Sequence, residues 1–275
     1  MNDLQLMHEA VTLAQRAGEA ILPFWRTDVA VSNKADDSPV TAADLAAHRI
    51  IADGLHALAP HIPVLSEEDC DIALAVREGW TRWWLVDPLD GTKEFIAGSE
   101  EFTVNIALVD KGEVVFGVVA TPTNGRCYFG GRDLGAWHLT AGGLTRAIRV
   151  RTAAPADARF TVVASRRHTS PEQEALLTSL GASVGELALA NIGSSLKFCL
   201  LAEGLADFYP RLAPTSQWDT AAAQGVLEGA GGEVIDLAGQ AFRYPPRESL
   251  LNPFFLALPS DAEWRDALLG SILEP

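Results

Sequence analysis

The chain has 275 residues, of which 48% are hydrophobic and 21% charged, and a formal net charge of −15 at pH 7. That length and balance belong to a globular protein and exclude a chain too polar to bury a core. With 36 acidic against 21 basic residues, the surface repels DNA, RNA and anionic membranes. This argues against a polymeric nucleic-acid partner but not against a small phosphorylated ligand held by a local cation.

Cys70, Cys127 and Cys199 are too few and too scattered for a disulfide framework or a thiolate zinc site, and read as packing residues in a reducing compartment. The first nine residues lack the basic-then-apolar order of a secretory signal. No uncharged apolar stretch reaches the roughly 18 residues of a spanning helix. The expectation is a cytoplasmic protein without a transmembrane segment, with peripheral association at the inner membrane left open.

In chain order, residues 4–25 place Leu4, Met7, Val11, Ala14, Gly18, Ile21 and Leu22 on one side of a helix. A polar, irregular segment covers 27–39, and a second helix covers 42–58, closed by Pro60. Residues 62–65 form a short strand that runs directly into Ser66-Glu67-Glu68. Residues 82–86 form a buried strand that ends in Asp87-Pro88-Leu89-Asp90-Gly91-Thr92. Strands over 102–109 and 113–121 are antiparallel neighbours joined at Asp110-Lys111-Gly112, and 128–139 continues the sheet.

An Ala/Pro-rich polar stretch at 149–158 divides the chain into halves 1–152 and 153–275, read as one compact unit. The second half alternates: strand 160–164, helix 171–180, strand 183–190, helix 194–202, strand 206–209 and helix 219–228. Short strands at 234–235 and 254–258 precede a last helix over 262–273.

Carboxylates at the ends of buried strands need an explanation. Asp87 and Asp90 follow the apolar run Trp83-Trp84-Leu85-Val86, where two desolvated negative charges repel each other. A divalent cation removes both penalties, and all-oxygen ligation favours a hard ion such as magnesium or manganese. Pro88 stiffens the backbone between them and Gly91 permits a tight turn. Thr92 is a candidate cap of the next turn, and amides near Gly91 can face a phosphate oxygen. Glu67 ends a second strand, and Trp218-Asp219 opens a helix. Each alone reads equally as a solvated surface acid or a helix cap; together they offer one cluster of hard ligands.

The segments Glu67-Glu68, Asp87-Pro88-Leu89-Asp90-Gly91-Thr92 and Trp218-Asp219 resemble, in order, the three signatures of the inositol monophosphatase superfamily of magnesium-dependent, lithium-sensitive phosphatases. The resemblance implies an α/β (α+β) chain folded as a layered α-β-α-β-α sandwich of the sugar phosphatase type. It implies metal binding by Glu67, Asp87, the Leu89 carbonyl, Asp90 and Asp219, with two or three Mg2+ ions and Mn2+ as a substitute. Glu67, Asp44 and Thr92 would be catalytic, assisting attack of a metal-activated water on phosphorus.

Asp87 to Phe95, Gly193 to Cys199 and the run from Ala206 to Arg211 are similar to the 3′(2′),5′-bisphosphate nucleotidase branch. That branch removes the 3′-phosphate of 3′-phosphoadenosine 5′-phosphate, a by-product of sulfate assimilation. By this resemblance Gly91, Thr92, His168, Ser194, Lys197 and Arg211 would contact the nucleotide. Lys197 suits a second phosphate as a point charge and Arg211 as a planar fork. The chain departs from the pattern at Arg167 and Gln217, neither of them in the ligand set.

Two alternatives stand beside this reading: an inositol or sugar monophosphatase of the same superfamily, and a non-catalytic regulatory protein on the same fold. No phosphate-binding loop of the nucleotide-triphosphate type is present. A homodimer is compatible with the sequence.

Overall fold

The computed structural model describes residues 1–27, 31–33, 39–153, 159–164 and 171–273. The first half runs α1 (Asp3–Ile21), a 3₁₀ turn (Leu22–Phe24), β1 (Val31–Asn33), β2 (Pro39–Thr41), α2 (Ala42–Leu58), β3 (Val64–Ser66) and α3 (Leu74–Arg77). It continues with β4 (Arg82–Asp90), α4 (Thr92–Ile96), β5 (Thr103–Asp110), β6 (Glu113–Thr121), β7 (Arg126–Gly131), β8 (Gly135–Leu139) and β9 (Thr145–Ala147). The second half comprises β10 (Phe160–Ala164), α5 (Pro171–Val184), β11 (Leu187–Asn191), α6 (Leu196–Ala202) and β12 (Tyr209–Arg211). It closes with α7 (Gln217–Gly229), β13 (Gly232–Asp236), β14 (Phe255–Pro259) and α8 (Arg265–Leu273).

Strands β3 to β9 form a seven-stranded sheet in sequence order. Only the β3–β4 pair is parallel, because α3 and the segment around it return the chain to the same end. The period of two in each strand sends alternate residues to opposite faces. Trp84, Val86, Ile106, Leu108, Phe116 and Val118 pack with the apolar faces of α1 and α2. Trp83, Leu85, Ala107, Val109 and Val119 pack on the other side with α6 and α7.

The same alternation in β14 sends Phe255 and Ala257 toward α6 and α7, and Leu256 and Leu258 into a third cluster with Leu180 of α5 and Leu268 of α8. The result is helices, seven-stranded sheet, helices, smaller sheets and helices: the expected α-β-α-β-α layering. The second core cluster runs without a break between the two halves of the chain.

Helix α7 lies unusually close to the sheet. A Cβ placed on Gly117 of β6 would stand 1.8 Å from the Ala222 carbonyl oxygen, and one on Gly225 would stand 2.5 Å from the Gly117 nitrogen. Both obstacles are backbone and cannot swing aside. Gly117→Ala is therefore expected to destabilise the fold by about 3 kcal/mol or more, the upper end for overpacking. Urea unfolding measures it; an unchanged midpoint would contradict this contact.

Several boundaries differ from expectation for local reasons. The strand expected over 183–190 begins at Leu187, because α5 continues to Val184 and turns at Gly185, which has φ +87°. The helix expected from Ser194 begins at Leu196, since Ser194 sits in the left-handed region at φ 49°. The strand expected over 206–209 is Tyr209–Arg211, with Phe208 bridging Val162 just before it. The elements β1, β2, α3, α4 and β9 were not anticipated, β1 falling inside the segment expected to be irregular.

Candidate active site

Glu67 leaves β3 beside the end of β4, where its amide donates to the Val86 carbonyl at 3.0 Å. Pairing of β4 with β5 then slips between Asp87 and Asp90. This bulge turns the chain so that two acids three residues apart both serve one end of the sheet. Inside it the Leu89 amide donates to Asp87 Oδ1 at 3.0 Å. Asp90 Oδ2 accepts from the Ser195 amide at 2.6 Å and from Asn105 Nδ2 at 3.3 Å. Asp219 is the third residue of α7, and its Oδ2 caps the helix by accepting from the Ser216 amide at 2.8 Å.

These carboxylates oppose one another electrostatically. Burial pushes Asp87 well above the usual carboxylate range, and the charges of Glu67, Asp90 and Asp219 push it further; a side-chain hydrogen bond is shared with Glu67. Burial also raises Asp219 to about 8, with Asp90 adding to the effect and the Ser216 amide opposing it. Asp90 is raised by burial too, while Lys197 and the Ser195 amide pull it back.

Among the described residues no three His, Cys, Asp or Glu side chains are drawn into a ready-made coordination sphere. A cation would compensate the mutual repulsion of these carboxylates. The donor set of buried, all-oxygen, mutually repelling groups fits a hard divalent ion.

Asp44 is buried at 1% exposure as the third residue of α2. Its Oδ2 accepts from the Thr41 amide at 2.8 Å and the Thr41 hydroxyl at 2.6 Å. Its Oδ1 faces the Thr92 hydroxyl at 3.4 Å, which also lies 3.3 Å from the Leu89 carbonyl. The cap of α4 is Gly91, in a left-handed conformation at φ +92°, rather than Thr92. Thr92 thereby keeps its hydroxyl for Asp44.

A cleft of about 370 Å³ opens beside these acids. Asp90, Asp219, Gly91, Ser194, Lys197 and Arg211 line it; Asp44, Glu67, Asp87 and Thr92 are not among its lining residues. His168 falls outside the described residues. Lys197 is buried, donates from Nζ to the Ser194 carbonyl at 2.9 Å, and is lowered to about 8 by burial, against the raising influence of Asp90. The Arg211 guanidinium is anchored on the carbonyls of Ala213 at 3.2 Å and Pro214 at 3.1 Å. The Ser194 hydroxyl is buried with no hydrogen-bond partner among the described residues, which suits it to turn toward a ligand.

Sequence reasoning missed a supporting layer. Thr103 and Asn105 of β5 and the Ser195 hydroxyl bond to one another at 2.9 and 2.8 Å, and together they surround Asp90. Polar residues alternating inside an otherwise apolar strand were the available signal. Glu101 was missed as well; its Oε2 accepts from the Gly193 amide at 2.7 Å, and a Cβ on Gly193 would stand 3.0 Å from the Glu101 carbonyl. Lys93, Ser99 and Thr215 also line the cleft.

Comparison with known proteins follows the same lines. The chain is 48% identical over 252 residues to a 3′(2′),5′-bisphosphate nucleotidase, CysQ, of Salmonella typhimurium, covering 91% of this chain and 98% of that protein. A crystal structure of CysQ from Bacteroides thetaiotaomicron superposes with TM-score 0.81 at 40% identity, over 94% of this chain and 98% of the other. An inositol monophosphatase structure from Thermotoga maritima, at 23% identity and TM-score 0.75 over 98% of this chain and 97% of the other, shares the fold. Residues 3–267 match the Inositol monophosphatase family, and the chain therefore belongs to that family.

Proposed function

We propose that the chain is a metal-dependent phosphomonoesterase that removes the 3′-phosphate of 3′-phosphoadenosine 5′-phosphate. One observation carries the reading: the two cations Lys197 and Arg211 share one cleft with the acids Asp90 and Asp219. A substrate with two phosphates needs both features, and the relatives at 48% identity are bisphosphate nucleotidases. Magnesium, as two or three ions with manganese as substitute, is the proposed metal, held by Glu67, Asp87, the Leu89 carbonyl, Asp90 and Asp219. The setting is cytoplasmic disposal of a sulfate-assimilation by-product; among the described residues no helix is long and apolar enough to cross a membrane.

Bound there, the ions supply charge neutralisation at phosphorus and a lowered water pKa. The chain does the rest. Glu67 and the Thr92 hydroxyl hold the attacking water in line with the ester bond. Thr92 Oγ1 takes the water's proton as its own passes to Asp44 Oδ1. Asp44 Oδ1 faces that hydroxyl at 3.4 Å, while its Oδ2 accepts from the Thr41 amide and hydroxyl. The water oxygen bonds to phosphorus as the ester P–O bond breaks, and the departing 3′-oxygen takes a proton from solvent water. The Gly91 amide and Ser194 hydroxyl orient the transferring phosphate, while Lys197, Arg211 and His168 hold the nucleotide and its second phosphate.

Phosphate release from 3′-phosphoadenosine 5′-phosphate and inositol 1-phosphate, with magnesium, chelator or lithium, tests the reading. The expected result is magnesium-dependent, lithium-inhibited turnover that favours the nucleotide. Lys197→Ala is expected to raise KM for the nucleotide about 10- to 100-fold, since a charge-assisted hydrogen bond contributes roughly 1.5–3 kcal/mol. The monoester should change by less than about threefold, because it has no second phosphate to lose a partner. Equal losses on both substrates would sink the second-phosphate role, and preference for inositol phosphate would reassign the substrate.

A further inference from the structure

Helix α7 carries a line of polar side chains where a core-facing flank would ordinarily be apolar. Thr220, Gln224 and Tyr244 are 0–2% exposed, and Asn252 is buried beside them. Their hydrogen bonds share one direction. Asn252 Nδ2 donates to the Ser216 carbonyl at 2.6 Å and to Thr220 Oγ1 at 2.9 Å. Thr220 Oγ1 meets the Tyr244 hydroxyl at 2.9 Å, and Tyr244 donates in turn to Gln224 Oε1 at 2.8 Å. Gln224 Nε2 passes the chain on to Glu228 Oε1 at 2.9 Å, and Arg132 pairs with Glu228 at 3.3 Å.

Tyr244 is the keystone of this line. Its hydroxyl bonds the side chains of both Thr220 and Gln224, one turn apart on α7. Its own position comes from elsewhere: its amide donates to the Gly112 carbonyl at 2.8 Å, and its ring packs on Phe242 at 5.6 Å. Four buried polar residues are costly to desolvate, and apolar side chains of equal volume would bury more favourably. What the polar line adds is direction. Close packing on the sheet glycines sets the distance of α7 from the sheet, and directed hydrogen bonds add a preferred rotation. The first turn held in this way contains Asp219, bracketed by Ser216 and Thr220.

We propose that Tyr244 is a positioning residue for the metal site, fixing the rotation of α7 and with it the aim of the Asp219 carboxylate. This rests on the reading that Asp219 holds metal. The test is titration of the purified full chain with Mn2+ by electron paramagnetic resonance, with thermal melting alongside. It compares the parent, Tyr244→Phe, Tyr128→Phe and Asp219→Asn. Tyr128 is the control, a buried tyrosine of β7 whose hydroxyl donates to Glu203 at 2.9 Å and takes no part in the polar line along α7.

Tyr244→Phe is expected to weaken Mn2+ binding about 10-fold or more, the usual consequence of removing a partner behind a ligand. The Mg2+ concentration for half-maximal activity should rise by the same factor, with kcat at saturating metal within about twofold. Tyr128→Phe should lower the melting temperature comparably and leave Mn2+ affinity at the parent value. Parent-like affinity in Tyr244→Phe, or equal losses in both phenylalanine variants, would overturn the proposal. Undiminished Mn2+ binding by Asp219→Asn would instead overturn the metal reading beneath it.

Discussion

Replacing Asp90 by asparagine is expected to reduce kcat by about 10³-fold or more, and Asp219→Asn by a similar factor. Each substitution keeps the size of the side chain and one acceptor oxygen, so the Ser195 amide at 2.6 Å and the Ser216 amide at 2.8 Å retain partners. What disappears is a full negative charge in a desolvated site. Charge stabilisation by a bound cation supplies several kcal/mol in phosphoryl transfer. Loss of about 4 kcal/mol corresponds to a thousandfold change in rate. The folds of the two variants should survive, because burial and neighbouring carboxylates already push both groups toward the neutral form. Steady-state kinetics at saturating magnesium, with near-ultraviolet circular dichroism as the fold check, decide the matter. Near-parent turnover in either variant would remove that residue from the metal set.

A second large effect concerns pH and metal together. In the metal-free protein Asp219 is raised from 3.8 to about 8, and Asp87 and Asp90 are raised in the same sense. Between about pH 4 and 8 the folded state then binds more protons than the unfolded chain. Stability must fall as pH rises through that window. Lys197, lowered from 10.5 to about 8, acts above the window and in the opposite direction.

A divalent ion takes the place of those protons. Its stabilising effect should be small near pH 5, where protons compete for the carboxylates, and large near pH 8. At a hundred times its dissociation constant the ion contributes about 2.7 kcal/mol. For a chain of this size that raises Tm by roughly 5–10 °C. Melting curves from pH 4 to 8, with magnesium and with chelator, give the comparison. A metal-free Tm that stays level across the window would mean that burial and mutual repulsion do not raise these acids as described.

How much of this was written in the sequence depends on the distance over which each feature is decided. The strand-end acids were legible because Trp83-Trp84-Leu85-Val86 is too apolar to precede a solvated turn, and two buried aspartates demand a counter-charge. The buried-strand pattern of 82–86 was legible in the same way, and α2 was read over 42–58 with Pro60 closing it. These are properties of neighbouring residues, fixed by covalent geometry and the period of the backbone.

Asp44 marks the limit. Its bond to Thr41 is local, but its second oxygen reaches Thr92, 48 residues on. Nothing in the local pattern says that the two meet. The same holds for Ser195 on Asp90, across 105 residues, and for Tyr244 beneath α7. It holds too for Gly117, whose missing side chain reads from sequence as a weak point in a strand and is in fact the space that admits the Ala222 backbone. The sequence by itself marked most of the longer elements, the buried side of α1 and the acids that end apolar strands. Only the tertiary structure decided which oxygens share a site and what holds them in place, because strand register and helix rotation are set by packing between distant segments.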